Sequence, residues 1–125
     1  MEKFFKFIIG FICAVMAIIW LRMMIDPMGV AERLAMNPDS PLGLNNIRAF
    51  FGIYLGCAAV FLFLTLKKGE KQWLLVPICL EVFSVIGRTS GLVLDGFHQK
   101  IVLYIISEII LIILLFGAYR KLPSK

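Results

Sequence analysis

Residues 80–96 read LEVFSVIGRTSGLVLDG. The stretch is apolar for most of its length, yet Glu81, Arg88 and Asp95 recur at intervals of seven. Seven residues are almost two helical turns, so the three charges lie along one face of a helix. A greasy helix with a charged stripe needs surroundings that take both faces. Lipid suits the apolar face and a bundle interior suits the charged one.

The rest of the chain agrees. Of 125 residues, 61% are hydrophobic and only 17% charged. A soluble domain is nearer half apolar and a quarter charged. The apolar residues also come in blocks: 7–21 and 50–66 carry no charge, 73–94 only Glu81 and Arg88, and 101–119 only Glu108. Crossing about 30 Å of hydrocarbon takes roughly 20 apolar residues. Four spans are therefore expected, at 4–25, 42–66, 73–94 and 101–119, as one integral membrane domain over 1–125. The fold class is an all-α four-helix antiparallel transmembrane bundle. The run after Lys3 and Lys6 is too long for a signal-peptide core and no A-x-A-like site follows it, so a retained first span is expected.

Net charge is +5, which on a soluble protein would suggest nucleic acid. Its placement points elsewhere. Lys3, Lys6, Lys67, Lys68, Lys71, Arg120, Lys121 and Lys125 all fall on one side of a four-span model. Only Arg33 and Lys100 occupy loops on the other side. This is the positive-inside pattern, and it predicts that both termini face the cytoplasm. The basic charge thus reads as topology, with anionic lipid headgroups as its nearest partner and no nucleic acid. Cys13, Cys57 and Cys79 lie within spans without C-x-x-C spacing, which reads as packing. No metal and no cofactor are expected.

The longest polar stretch, 26–44, lies in the first external loop. Pro27 and Gly29 are expected to stop span 1, and 30–36 to form a short interfacial helix. Residues 37–41 read as a turn, and Ser40 followed by Pro41 as a cap and helix start for span 2. The loops KKGEKQ and DGFHQK are short, so spans 2 and 3, and spans 3 and 4, are antiparallel neighbours.

Charged residues inside spans cost at least about 2.5–3.5 kcal/mol on insertion scales, so each marks a pair, an inward face or a site. At 1.5 Å per residue, Glu108 and Arg88 lie about 10 Å and about 9 Å from the outer boundary, level with each other on adjacent helices. They are expected to pair. Glu81 lies further in. In span 2, Asn45, Arg48, Gly52, Gly56 and Ala59 share one arc, which reads as an inward face with Arg48 upon it. The G-x-x-x-G spacings Gly52/Gly56 and Gly87/Gly91 read as close-approach faces for another helix, a second copy or a partner membrane subunit. Arg22, with Asp26 one turn on, reads as snorkelling to the boundary. Arg22, Arg48 and Arg88 together outnumber Glu108 in the outer parts of the spans. This suggests an outer-half cavity that binds the anionic head of a lipid or small amphipathic molecule. Arg48, Arg88, Glu108, Glu81, Asn45 and Asp95 are its candidate ligand-binding residues, with guanidinium groups suited to phosphate or carboxylate.

An enzyme reading is weaker. Glu108 or Glu81 would be the base and Arg88 the oxyanion stabiliser. However, Ser84, Thr89 and Ser90 near Arg88 have no histidine beside them, and the sole histidine, His98, falls in the last external loop. A third reading is an accessory subunit of a larger membrane complex.

Four spans in so short a chain, N-N-x-R at 45–48, G-R at 87–88, D-G at 95–96 and a lone Glu108 in span 4 resemble an uncharacterised bacterial family. Its members are small four-helix integral membrane proteins that carry a domain of unknown function. The plan is also similar to the DoxX-like group, which is linked to quinone-connected redox systems. No residue here matches a quinone or thiosulfate site. The first resemblance implies the four-span fold and no activity.

Overall fold

The computed structural model describes residues 1–34, 36 and 41–123, apart from the side chains of Pro41, Leu44 and Asn46. Within them the chain is helical: α1 (Glu2–Ile25), α2 (Pro27–Arg33), α3 (Pro41–Lys68), a 3-10 turn (Lys71–Leu74), α4 (Leu75–Leu94) and α5 (Gln99–Lys121). Four of these segments are long and apolar enough to cross a bilayer: Glu2–Ile25, Ile47–Lys68, Lys71–Leu94 and Gln99–Lys121. The expected spans are all present, and the architecture is an all-helical membrane-type bundle.

Local chemistry sets the helix ends. The Asp26 carboxylate accepts from Gly29 N at 3.0 Å and caps α2, with Pro27 in its first turn. The short helix therefore starts three residues before the position expected from sequence, because Asp26 and Pro27 are a cap and a first-turn proline rather than a simple stop. α3 starts at Pro41 as expected, whereas the turn at 37–40 and the Ser40 cap lie outside the described residues. Gly69 (φ 69°) and Gly96 (φ 107°) make the reversals after α3 and α4, in backbone conformations that suit glycine. Pro77 falls in the first turn of α4, where a missing N–H has no helical partner to lose. His98 is the cap of α5, its Nδ1 accepting from Lys100 N at 3.2 Å.

The helices form a four-membered ring. α1 lies along α3 and α4 along α5, these being the longest interfaces, while α3 meets α4 and α1 meets α5. The diagonal pairs do not approach each other among the described residues. Packing is uneven along the bundle axis. At the end carrying both termini, Ile9, Ile12, Leu62, Leu74, Ile78, Leu115, Ala118 and Leu122 form the main core. At the opposite end, a small cluster of Met23, Ala31 and Ile47 joins α1, α2 and α3. No comparable apolar cluster ties that trio to α4 and α5 among the described residues, and Val93, Leu94 and Phe97 are exposed there. The two helix pairs are thus closed at the termini end and parted towards the other.

Candidate functional site

Polar side chains collect where the pairs begin to part. Arg88 Nε on α4 donates to Glu108 Oε1 on α5 at 2.7 Å. Ser84, one turn before Arg88, donates to the same oxygen at 3.0 Å. The Arg88 guanidinium also lies over the Tyr104 ring, 4.9 Å from its centroid. Tyr104 stands one turn before Glu108, so a single α5 face presents both an anion and a π-face to the arginine. From α3, the Tyr54 hydroxyl donates to Glu81 Oε1 at 2.5 Å. Glu81 is 3% exposed, and this bond satisfies one oxygen of an otherwise costly buried carboxyl group. Glu108 Oε2 is buried and has no hydrogen-bond partner among the described residues.

Two cavities flank the cluster. One, of about 270 Å³, opens between α3 and α4 and is lined by Phe50, Phe51, Tyr54, Ser84, Arg88 and Glu108. The other, of about 380 Å³, lies where α1 faces α5, with Tyr54, Glu81, Ser107 and Glu108 as its polar groups. Tyr54 and Glu108 belong to both and form the wall between them.

The structure joins Arg88, Glu108 and Glu81 in one cluster and places the other expected site residues apart. Arg48 is exposed rather than inward-facing. Two observations explain this. The apolar part of α3 begins at Ile47, so Arg48 stands at its edge rather than several residues inside. The glycines on its arc also face α1: a Cβ on Gly56 would stand 3.3 Å from Trp20 Nε1, and one on Gly52 2.7 Å from Met24 Cε. That arc therefore faces the α1–α3 seam, and the cleft is served by Phe51 and Tyr54 instead. Asn45 and Asp95 are exposed near the same end of the bundle, and Asp95 closes α4 as its C-cap. A Cβ on Gly87 would meet no heavy atom within 4 Å among the described residues, so no described helix packs against that position. Cys13 donates its thiol to the Ala59 carbonyl at 3.3 Å, again in the α1–α3 seam.

Sequence reading missed Tyr54 and Tyr104. Tyr104 had a usable signal, since it precedes Glu108 by four residues on one helix. Tyr54 had none, because its partner lies on another helix 27 residues away. Chemically, the cluster is one guanidinium between hydroxyls and two carboxyl groups. It can hold a polar head by hydrogen bonds while Phe50 and Phe51 contact an apolar chain.

No curated protein and no solved structure matches the chain, so the likeness to the DoxX-like group rests on the span plan alone. A family model does match, over residues 4–119, and so takes in all four long helices and the cluster between them. The chain accordingly belongs to the family defined by the domain of unknown function DUF4345.

Proposed function

We propose that this small membrane protein binds an amphipathic molecule with an anionic head in the cleft between α3 and α4, with Arg88 as the principal contact. The observation that carries this reading is the Arg88 side chain itself. It is 34% exposed in a cleft shared with Phe50, Phe51, Tyr54, Ser84 and Glu108, and only its Nε is spent on Glu108. The terminal guanidinium nitrogens are the donors suited to a phosphate or carboxylate, while Glu108 and the Tyr104 ring hold the group in place. Phe50 and Phe51 offer the chain of the ligand an apolar wall. Arg48, with Asn45 and Asp95, serves the headgroup layer at the rim rather than the cleft floor.

In this reading both termini face the cytoplasm and the cleft opens towards the outer leaflet. Lysine–aromatic pairs at the termini end agree with an interface there: Lys68 lies 5.1 Å from the Trp73 ring centroid and Lys71 5.2 Å from that of Tyr119.

Native mass spectrometry of the detergent-extracted chain, titrated with dodecyl phosphate, tests the proposal. A saturable one-to-one adduct that weakens roughly tenfold on Arg88→Gln supports it. Absence of such an adduct in the unmodified chain, across a panel of acidic lipids as well, refutes it. A stoichiometric protein partner retained in place of lipid would instead favour an accessory subunit, and turnover lost on Glu108→Gln would favour a lipid-modifying enzyme.

A further inference from the structure

At the termini end, α1 and α5 leave a cavity of about 430 Å³, lined by Phe5, Gly117, Arg120 and Lys121. Gly117 keeps it open: a Cβ there would already stand 3.4 Å from Phe5 Cε1. Arg120 and Lys121 are the last two residues of α5 and of its apolar span, at the depth of lipid headgroups. Both are exposed.

Other cations at this end have partners. Lys6 pairs with Glu2 at 2.6 Å. Lys67, Lys68 and Lys71 lie 6.0, 5.1 and 5.2 Å from the ring centroids of Phe63, Trp73 and Tyr119. Glu70 is spent on Gln72 and Trp73. Arg120 and Lys121 have neither an acid nor a ring among the described residues, and both line one cavity. The dipole of α5 offsets about half a charge at its C-terminus, which leaves a positive excess there. On the membrane side, Ile113 stands one turn before Gly117 and Phe116 one turn before Arg120, and both are exposed. The charged cavity therefore continues along α5 into an uncovered apolar strip.

We propose that this cavity is a binding site for one anionic phospholipid of the leaflet at the termini end. The lipid phosphate accepts from the Arg120 guanidinium and the Lys121 ammonium, the glycerol sits over Gly117, and an acyl chain lies along Ile113 and Phe116. Guanidinium and ammonium groups both suit a phosphate. A soluble anion would meet the cations but leave the apolar strip bare. A zwitterionic headgroup brings its own cation and gains less from the positive excess. The site lies at the opposite end of the bundle from the Arg88 cleft and does not depend on binding there.

The test titrates the full chain in mild detergent with dioleoyl phosphatidylglycerol, dioleoyl phosphatidylcholine and glycerol 1-phosphate, read by native mass spectrometry. The expected result is one saturable phosphatidylglycerol adduct, about tenfold tighter than phosphatidylcholine, with glycerol 1-phosphate weaker still. Arg120→Gln/Lys121→Gln should remove that preference. Lys67→Gln/Lys68→Gln takes the same charge from the same end and should leave it. Gly117→Leu fills the cavity at constant charge and should weaken phosphatidylglycerol about tenfold. Arg88→Gln should leave this adduct in place, which separates it from binding in the α3–α4 cleft. The two lysine and arginine double variants alter exposed side chains, so they decide the question even if Gly117→Leu fails to fold. The proposal is overturned if phosphatidylcholine binds as tightly, if both double variants weaken phosphatidylglycerol equally, if a folded Gly117→Leu retains it, or if glycerol 1-phosphate binds as well as the lipid.

Discussion

Arg88 and Glu108 meet across two helices through a single nitrogen–oxygen contact of 2.7 Å, and Ser84 donates to the same oxygen. One carboxylate oxygen thus takes two donors while its twin takes none among the described residues. The pair joins α4 to α5 where the apolar core has already ended, so it substitutes for packing at that level. Arg88→Met should lower stability by about 1–3 kcal/mol, because it strands a carboxylate that is only 13% exposed. The Arg88→Met/Glu108→Met double variant should lose less than the sum of the single changes. Thermal unfolding of the four proteins in detergent checks this, and additive losses would show that the two charges are energetically independent.

Tyr54 and Glu81 make the corresponding link between α3 and α4. Tyr54→Phe removes the donor from a carboxyl group that is 3% exposed and should cost about 1–3 kcal/mol. In a Glu81→Leu background the same change should be nearly silent, since there is then no acceptor to strand. An equal loss in both backgrounds would mean that the ring rather than the hydroxyl matters.

The two glycine pairs should respond differently. Gly56→Leu sets a side chain against the Trp20 ring and should destabilise by about 1–3 kcal/mol through overpacking. Gly87→Leu meets open space and should change monomer stability by less than about 0.5 kcal/mol. If the Gly87 face is an association surface, that variant would instead shift the oligomeric state by size-exclusion chromatography with light scattering, while unfolding stays unchanged.

Topology is open to direct measurement. In a background free of Cys13, Cys57 and Cys79, a cysteine at Phe97 should react with an impermeant maleimide on intact cells. A cysteine at Gln72 should react only after permeabilisation. Both positions border helices at opposite ends of the bundle, and Phe97 and Gln72 are exposed. The reverse labelling would invert the orientation drawn from the lysine and arginine distribution.

Four spans, their lengths and their antiparallel order were legible before any coordinates. Each depends on a local quantity: the length of an apolar block, the shortness of a loop, or a glycine or proline at a reversal. The Arg88–Glu108 pair was legible too, because depth follows from counting residues along two helices joined by a tight turn. Rotation about the helix axis was a different matter. Arg48 shares its arc with Gly52 and Gly56, and sequence cannot say whether that arc meets the bundle centre or one neighbouring helix. Trp20 and Met24 of α1 occupy it, which turns Arg48 outward and brings Tyr54 to the cleft. The same rotation changes the charge balance of the interior. Three arginines in the outer parts of the spans suggested an anion site throughout, whereas among the described residues the fold leaves one guanidinium and two carboxyl groups between the helix pairs. Helix rotation is set by side chains interlocking across the whole ring, a sum of non-local contacts that no single span carries. It was therefore the tertiary packing that decided which polar groups face each other.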